Sequence, residues 1–464
     1  MYYNMKKIGT SMMLAAVPAL AAAQNGTEGQ RPNIVFFLVD DLGWNDFSCY
    51  GSGYYQTPVI DSLATQGLLM TDAYAACTVS SPTRASLMTG KYPARLHLTD
   101  WIQGWDFKEA PMQIPDWTMY LPLEEKTTAE YLKEVGYDTW HVGKWHLGDD
   151  EKYWAENQGF DINIAGNFKG APIKDNQGHK GYFAPYGLKR LEEGPDGEYL
   201  TERLTREAIS LIEASDGTHP FFLNLCHYAL HVPLDAPQNL VDKWADLADP
   251  NYPQNNPTYA AMVETVDESL RQIIAALKRK GVWENTLLIV TGDNGALKRP
   301  SPSIDLREGK GSEYEGGVRE PMICSWPGHI QPGRRDSTPV ISTDIMPTIL
   351  EAAGVAVPKD IDGKSLIRLL EGRRTHLKNR PIFWHYPHYH KGGATPYSSV
   401  RKGDWILIRK YETGTTELYN LKKDLAQTTD LSAERKCRVR RMSRILDRWL
   451  KDTGAQFATF KNQE

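Results

Sequence analysis

From Pro32 onward, short apolar runs alternate with segments whose apolar residues recur every three or four positions. The run Asn33-Ile-Val-Phe-Phe-Leu-Val39 shows no polar alternation, so it is expected to form a strand buried on both faces. Segment 286–290 reads the same way, and 221–225 and 137–142 are shorter candidates. Helical spacing covers 57–66, 82–89, 128–134, 199–214, 259–280 and 342–353. Strands parted by helices of this kind predict βαβ units and a parallel sheet. Beyond about residue 370 the rhythm changes. Residues 371–379 are charged and linker-like, and short apolar segments follow at 381–384, 397–400, 405–408 and 417–420. Glycine and polar turns separate them, which predicts an antiparallel sheet, and an amphipathic helix over 438–450 closes the chain. The expected architecture is a large α/β domain over 24–370 and a smaller α+β domain over 371–464, with no internal repeat.

The first 23 residues follow another pattern. Lys6 and Lys7 precede a short apolar stretch that ends at Ala21-Ala22-Ala23-Gln24. A basic start, an apolar middle and a small-residue end read as a cleaved export signal over 1–23, placing the mature chain in a periplasm or outside the cell. That stretch is too short to span a bilayer, and no later one reaches the ~18 apolar residues a span needs. With 464 residues, 41% apolar and 24% charged, the chain can bury a sizeable core. Its 53 Lys and Arg against 58 Asp and Glu give a net charge of −5, and no polybasic run points to nucleic acid or a membrane surface. An anionic ligand must therefore be held by a few local cations. Cys49, Cys77, Cys226, Cys324 and Cys437 lack C-x-x-C spacing, which argues against a zinc ribbon or a dense disulfide framework.

In an open α/β sheet, ligands sit beyond the carboxyl ends of the strands. Four expected strands deliver polar residues there. The first leads to Asp40-Asp41, the 286 strand to Gly292-Asp293-Asn294-Gly295, the 137 strand to Gly143-Lys144-Trp145-His146, and the 221 strand to His227 and then His231-Val232-Pro233. One Asp after a strand is usually a turn residue. Four such ends are more simply read as one site. Asp40, Asp41, Asp293 and Asn294 offer oxygen donors only, which suit Ca²⁺ or Mg²⁺ better than zinc. Arg84, Lys144, His146 and His231 add positive charge and proton donors, an arrangement for holding an anion and stabilising charge on a departing oxygen.

Ser80-Ser-Pro-Thr-Arg84-Ala-Ser-Leu-Met-Thr89-Gly90 resembles the sulfatase signature, in which Cys or Ser precedes Pro by two positions and Arg by four, before a Thr-Gly close. Asp40-Asp41, Gly143-Lys144-Trp145-His146-Leu147-Gly148, His231-Val232-Pro233, Asp293-Asn294-Gly295 and Lys310-Gly-x-x-Tyr-Glu-Gly-Gly317 occur in that family's order. Glu417-Leu-Tyr-Asn-Leu421 is similar to its C-terminal sheet, and the likeness as a whole spans about 31–370. Cys77 does not fit the signature, because Val79 and Ser81 stand where Pro and Arg belong.

The resemblance implies an alkaline-phosphatase-like fold with a central, mostly parallel sheet, and hydrolysis of sulfate esters. In that family the first signature residue is oxidised to formylglycine, whose hydrate attacks sulfur, which here means Ser80. The family's aerobic maturase acts on cysteine, so a serine implies a radical-type maturase as partner and a Gram-negative anaerobe as host. Asn25-Gly26-Thr27, formally a glycosylation acceptor, would then be without meaning. The resemblance also implies one Ca²⁺ held by Asp40, Asp41, Ser80, Asp293 and Asn294. Lys144 and Lys310 look like the sulfate-binding lysines, Arg84 and His146 like the groups that contact the diol, and His231 like the acid for the leaving alcohol. Two rivals stand beside this reading: a two-zinc phosphatase or phosphodiesterase of the same superfamily, and a noncatalytic glycan-binding homologue. Asn294 where a zinc enzyme needs His speaks against the first, and intact Arg84, Lys144, His231 and Lys310 against the second. Trp101, Trp105, Trp117, Tyr120 and the segment His385-Tyr386-Pro387-His388-Tyr389-His390 offer aromatic faces for sugar rings, with Asp100 as an acceptor for hydroxyls. The expected substrate is a sulfated glycan of galactose or N-acetylgalactosamine type.

Overall fold

The computed structural model describes residues 31–461; the export signal over 1–23 and the Asn25 acceptor lie outside the described residues. Ten strands come first along the chain. They are β1 (Asn33–Val39), β2 (Leu68–Tyr74), β3 (Met112–Gln113), β4 (Asp138–Gly143), β5 (Ile162–Ile164), β6 (Phe221–His227), β7 (Thr286–Gly292), β8 (Arg319–Ser325), β9 (Arg334–Asp336) and β10 (Val340–Ile341). All but β3 join a nine-stranded sheet ordered β10-β2-β8-β7-β1-β6-β4-β5, with β9 also on β2. β1 runs parallel to both neighbours and sets Ile34 level with Phe222 and Leu287. β8 runs antiparallel to β7 and β2, so the sheet is mixed but mostly parallel.

The apolar run of β1 follows from cover on both faces. Val35, Phe37 and Val39 pack with helices Leu200–Ala214 and Pro257–Arg279, while Ile34, Phe36 and Leu38 pack with Ser80–Thr89 and Ile345–Ala352. All six are at most 1% exposed. At roughly 1.5–3 kcal/mol per large apolar side chain buried, they favour the folded state by on the order of 10 kcal/mol before chain entropy is counted. β2 and β8 gave no such signal, since Thr71-Asp72 breaks one run and Arg319-Glu320-Pro321 opens the other. Asp72 and Arg319 are neutralised by tertiary contact: Arg319 pairs with Asp72 at 2.6 Å and Glu315 at 2.8 Å, and Arg401 also reaches Asp72.

β11 (Pro381–Tyr386), β12 (Tyr397–Lys402), β13 (Trp405–Lys410) and β14 (Thr416–Asn420) form the second, antiparallel sheet in that order, and β15 (Thr459–Phe460) pairs with β3. Helix Lys436–Asp452 buries Met442, Leu446, Trp449 and Leu450 against that sheet, Trp449 stacking on Phe383 at 4.7 Å. Tyr74, Ala76, Cys77 and Val79 belong to the same apolar cluster, and Trp384 donates its Nε1–H to the Ala75 carbonyl at 2.8 Å. The second sheet therefore holds the segment that leads into Ser80. Among the described residues all five cysteines are free thiols, and no helix is long and apolar enough to cross a membrane.

Candidate active site

Four neighbouring strands, β7, β1, β6 and β4, end on the same side of the sheet. Asp40 and Asp41 leave β1, Asp293 and Asn294 leave β7, Lys144 leaves β4 and His231 follows β6. Asp41 holds a left-handed φ of 55°, an uncommon conformation for a side-chain-bearing residue that persists only where surroundings enforce it. Its amide donates to Asp293 Oδ1 at 3.2 Å, and Tyr259 donates its hydroxyl toward both the Asp41 carbonyl and Asp46. Asp46 also accepts from the Gly43 amide and Ser301. This buried carboxylate, which braces the Asp40–Asp41 turn, was not singled out from sequence; its one local sign is its position five residues after Asp41.

Helix Ser80–Thr89 brings the remaining group. It is buried along its whole length despite a polar sequence, and it starts two residues earlier than expected, with Val79 as N-cap and Ser80 as the first helical residue. Ser80 is thus not a cap, and its hydroxyl points into the cluster: Asp40 Oδ1 at 3.4 Å, Asn294 Oδ1 at 3.1 Å and Lys144 Nζ at 3.2 Å. No histidine is hydrogen-bonded to it among the described residues. Cys77 is buried, accepts no role in the cluster and has its thiol pushed up to about 12 by burial.

Each carboxylate has its own cation. Lys144 Nζ donates to Asp40 at 2.6 Å, Arg84 to Asp293 at 2.8 and 2.9 Å, and Lys310 to Asp41. Burial and the neighbouring Asp293 charge raise Asp40 to about 8 in spite of Lys144. Burial also pushes Asp293 upward, but Arg84, Lys144 and Lys310 outweigh it and hold the group well below the usual carboxylate range. Asp40 is thus short of positive charge. The donor set fits a hard cation: Asp40, Asp41 and Asp293 present oxygens within 4.8 Å of one another, and Asp41 Oδ2 is buried with no hydrogen-bond partner.

The other expected residues gather less uniformly. His231 Nε2 lies 3.8 Å from Asp41 Oδ2, while its Nδ1 bonds the Val232 carbonyl at 2.6 Å. His231 and Lys310 are the partly accessible members, so the site opens on their side. His146 stands near Lys144 but bonds Ile102's carbonyl at 2.7 Å through Nε2, not Ser80, and its Nδ1 is buried without a partner. Asp100 does not face a ligand: it is buried and accepts from Tyr386 at 2.7 Å and from the Trp101 amide. His388 likewise bonds Thr99 inside the core. His390 does reach the site, packed against Gly311 beside Lys310, where burial first and then the Lys310 charge lower it to about 4.

Gly143 shows why the Lys144 turn needs its sequence. Its φ is +106°, and a Cβ there would sit 1.9 Å from the Cys226 carbonyl oxygen of the paired strand. G143A is expected to lose upwards of about 2 kcal/mol of stability and most activity, because the backbone that clashes cannot move without breaking the β4–β6 ladder. Thermal unfolding with parallel turnover assays checks this; an unchanged melting point would contradict it.

A family model described as Sulfatase matches residues 32–355. The chain belongs to the sulfatase family. This sulfatase is therefore a sulfuric ester hydrolase, and its fold is alkaline-phosphatase-like. A second family model, N-sulphoglucosamine sulphohydrolase, C-terminal, matches 309–452. A sulfatase of Formosa agariphila is 32% identical over 93% of this chain and 90% of its own length. N-acetylgalactosamine-6-sulfatase of Homo sapiens is 32% identical over 77% of this chain and 68% of its own. Among solved structures, Ps i-CgsB in complex with k-i-k-neocarrahexaose superposes with a TM-score of 0.76 at 30% identity, covering 91% of this chain and 94% of that one.

Proposed function

We propose that this sulfatase removes O-sulfate from a glycan sugar, of galactose or N-acetylgalactosamine type, using formylglycine made from Ser80 and one Ca²⁺. The observation that carries the reading is the Ser80 hydroxyl set among Asp40, Asn294 and Lys144, with no histidine hydrogen-bonded to it, among the described residues, to activate it as a plain alcohol. Oxidised to formylglycine by a radical-type maturase and hydrated, that side chain supplies one oxygen to attack sulfur and a second whose deprotonation releases sulfate. Asp40, Asp41, Asp293 and Asn294, with the group at 80, would hold the calcium, which supplies positive charge against the reacting oxygens.

The chain's own residues do the rest. Lys144 and Lys310 grip the sulfate oxygens and oppose the charge that builds there. Arg84 fixes Asp293 from inside the helix, so residue 80 and the acid cluster keep one geometry. His231, at the open side, delivers the proton to the leaving alcohol; burial lowers its basicity to about 3, and an arriving sulfate acts in the opposite direction by favouring imidazolium. The proton that frees sulfate is assigned to His146 from the family resemblance, and of its two ring nitrogens Nδ1 is the one without a partner, because Nε2 is bonded to the Ile102 carbonyl. Support for a glycan comes from relatives whose names or bound ligands are carbohydrate, and from Trp105, which is 39% exposed with Lys391 Nζ 3.5 Å above its ring. The signal at 1–23 places the work in a periplasm or outside the cell.

Mass spectrometry of the peptide ending at Arg84, from protein made in its native host, tests the reading. Ser80 is expected to have lost the two hydrogens that separate an alcohol from an aldehyde. Unmodified serine in a fully active preparation would overturn the mechanism.

A further inference from the structure

A cavity of about 1090 Å³ lies away from Ser80, and none of the residues around Ser80 lines it. It runs between the β12–β13 hairpin, the chain just after β14 and the first turns of helix Lys436–Asp452. We propose that this cleft is a second binding site, which takes the sulfated glycan chain whose esters are cut at Ser80; the inference rests on the glycan reading above.

Charge is the first argument. Lys378, Lys402, Lys422, Lys436, Arg438 and Arg441 line the cleft, and among the described residues none of them forms an ion pair. On its inner wall Asp72 is already shared by Arg319 and Arg401, which leaves Asp404 and Glu434 as the only other acids facing it. A chain of net charge −5 has no surplus of cations to scatter, so this concentration is local. Lys436, Arg438 and Arg441 come from the closely spaced basic residues at the start of that helix, while Lys378, Lys402 and Lys422 are brought to them from separate parts of the chain.

Helix geometry is the second. The N-terminal end of a helix is its positive end and favours acids, yet Lys436 and Arg438 occupy the first turn, with no acidic residue there and no side-chain cap. The arrangement raises the potential where the cleft opens and suits an anion from outside. The third argument concerns shape. Lipid insertion needs a free apolar face, and this helix has spent its own on Met442, Leu446, Trp449 and Leu450. A concave site with Trp405 under the Arg438 guanidinium at 4.1 Å fits a flexible chain carrying repeated sulfates. Engagement of the polymer there raises its effective concentration at the catalytic site.

The test uses the full chain in its unconverted serine form, which binds without turnover, and a fluorescent chondroitin sulfate oligosaccharide as probe. The triple substitution Lys422→Gln, Arg438→Gln and Arg441→Gln is expected to weaken binding about ten-fold or more, with an unchanged melting point, and binding to the parent chain should fall steeply with salt. In converted enzyme the same variant should keep kcat/KM for a monosulfated monosaccharide while losing it for the polymer. Affinity for the oligosaccharide that the variant leaves unaltered overturns the cleft, as does a single-stranded DNA or an anionic vesicle that outcompetes the oligosaccharide there. A chain that binds the oligosaccharide in a variant-dependent way but hydrolyses no sulfated sugar supports the cleft and overturns the glycan-hydrolysis reading. Hydrolysis of the polymer that the variant leaves intact does the reverse.

Discussion

Ser80→Ala is expected to lower kcat on a sulfated sugar by about 10⁴-fold or more while leaving affinity for the sugar within a few-fold. The contrast follows from how the site divides its work. In the proposed mechanism Lys144, Lys310 and His231 provide charge and a proton, and each has an anchor other than the Ser80 hydroxyl: Lys144, 3.2 Å from that hydroxyl, is held more closely by Asp40 at 2.6 Å, Lys310 by Asp41 and His231 by the Val232 carbonyl. Alanine removes the oxygen that becomes the nucleophile, which is also one of the five groups proposed to hold the calcium, and leaves the other four in place. Turnover measured beside calorimetric binding separates the two effects. Retained turnover would show that the reacting group lies elsewhere, and a binding loss as large as the rate loss would show that residue 80 mainly holds substrate. Cys77→Ala serves as the control, because that thiol lies in the apolar cluster under the second sheet and should cost only modest stability.

Asp293→Ala is expected to cost about 3–5 kcal/mol of stability as well as activity. Arg84 is buried inside a buried helix, and both Nε and Nη2 meet Asp293 Oδ2, at 2.9 and 2.8 Å. Asp40, 3.9 Å away, is already paired with Lys144, so the guanidinium would be left without an acidic partner of its own and with only the Lys144 carbonyl, at 2.8 Å from Nη1, to accept from it. The Asp41 amide loses its acceptor too, which loosens a turn held at positive φ. A fall in melting temperature on the order of 10 °C should follow. Asp293→Asn keeps an acceptor for that amide and should fall between the two. A shift under about 1 kcal/mol for the alanine variant would mean that the buried pair holds nothing in place.

Much of this protein was legible before any coordinates. β1 and β7 were readable because burial on two faces leaves an apolar run, and that pattern is local, whereas β6, interrupted by Asn224, and β4, interrupted by Thr139 and His141, were readable only as shorter candidates. The antiparallel C-terminal sheet was readable from short strands and polar turns, and Ser80 stood out because Pro82 and Arg84 follow it at the positions of the sulfatase signature that the segment resembles. Tertiary structure alone decided three matters. β2 and β8 carry Asp72 and Arg319 inside strands, and such charges are tolerable only where distant partners neutralise them. The pairing of Asp293 with Arg84, 209 residues apart, settles which acid braces the helix that begins at Ser80, and no local rule encodes a match across that separation. His146 and Asp100 carried the right chemistry in the right region, yet packing turned one toward a backbone carbonyl and the other toward Tyr386. Residue type states what a side chain is able to do; which way it faces is set by neighbours that the chain brings together only when folded.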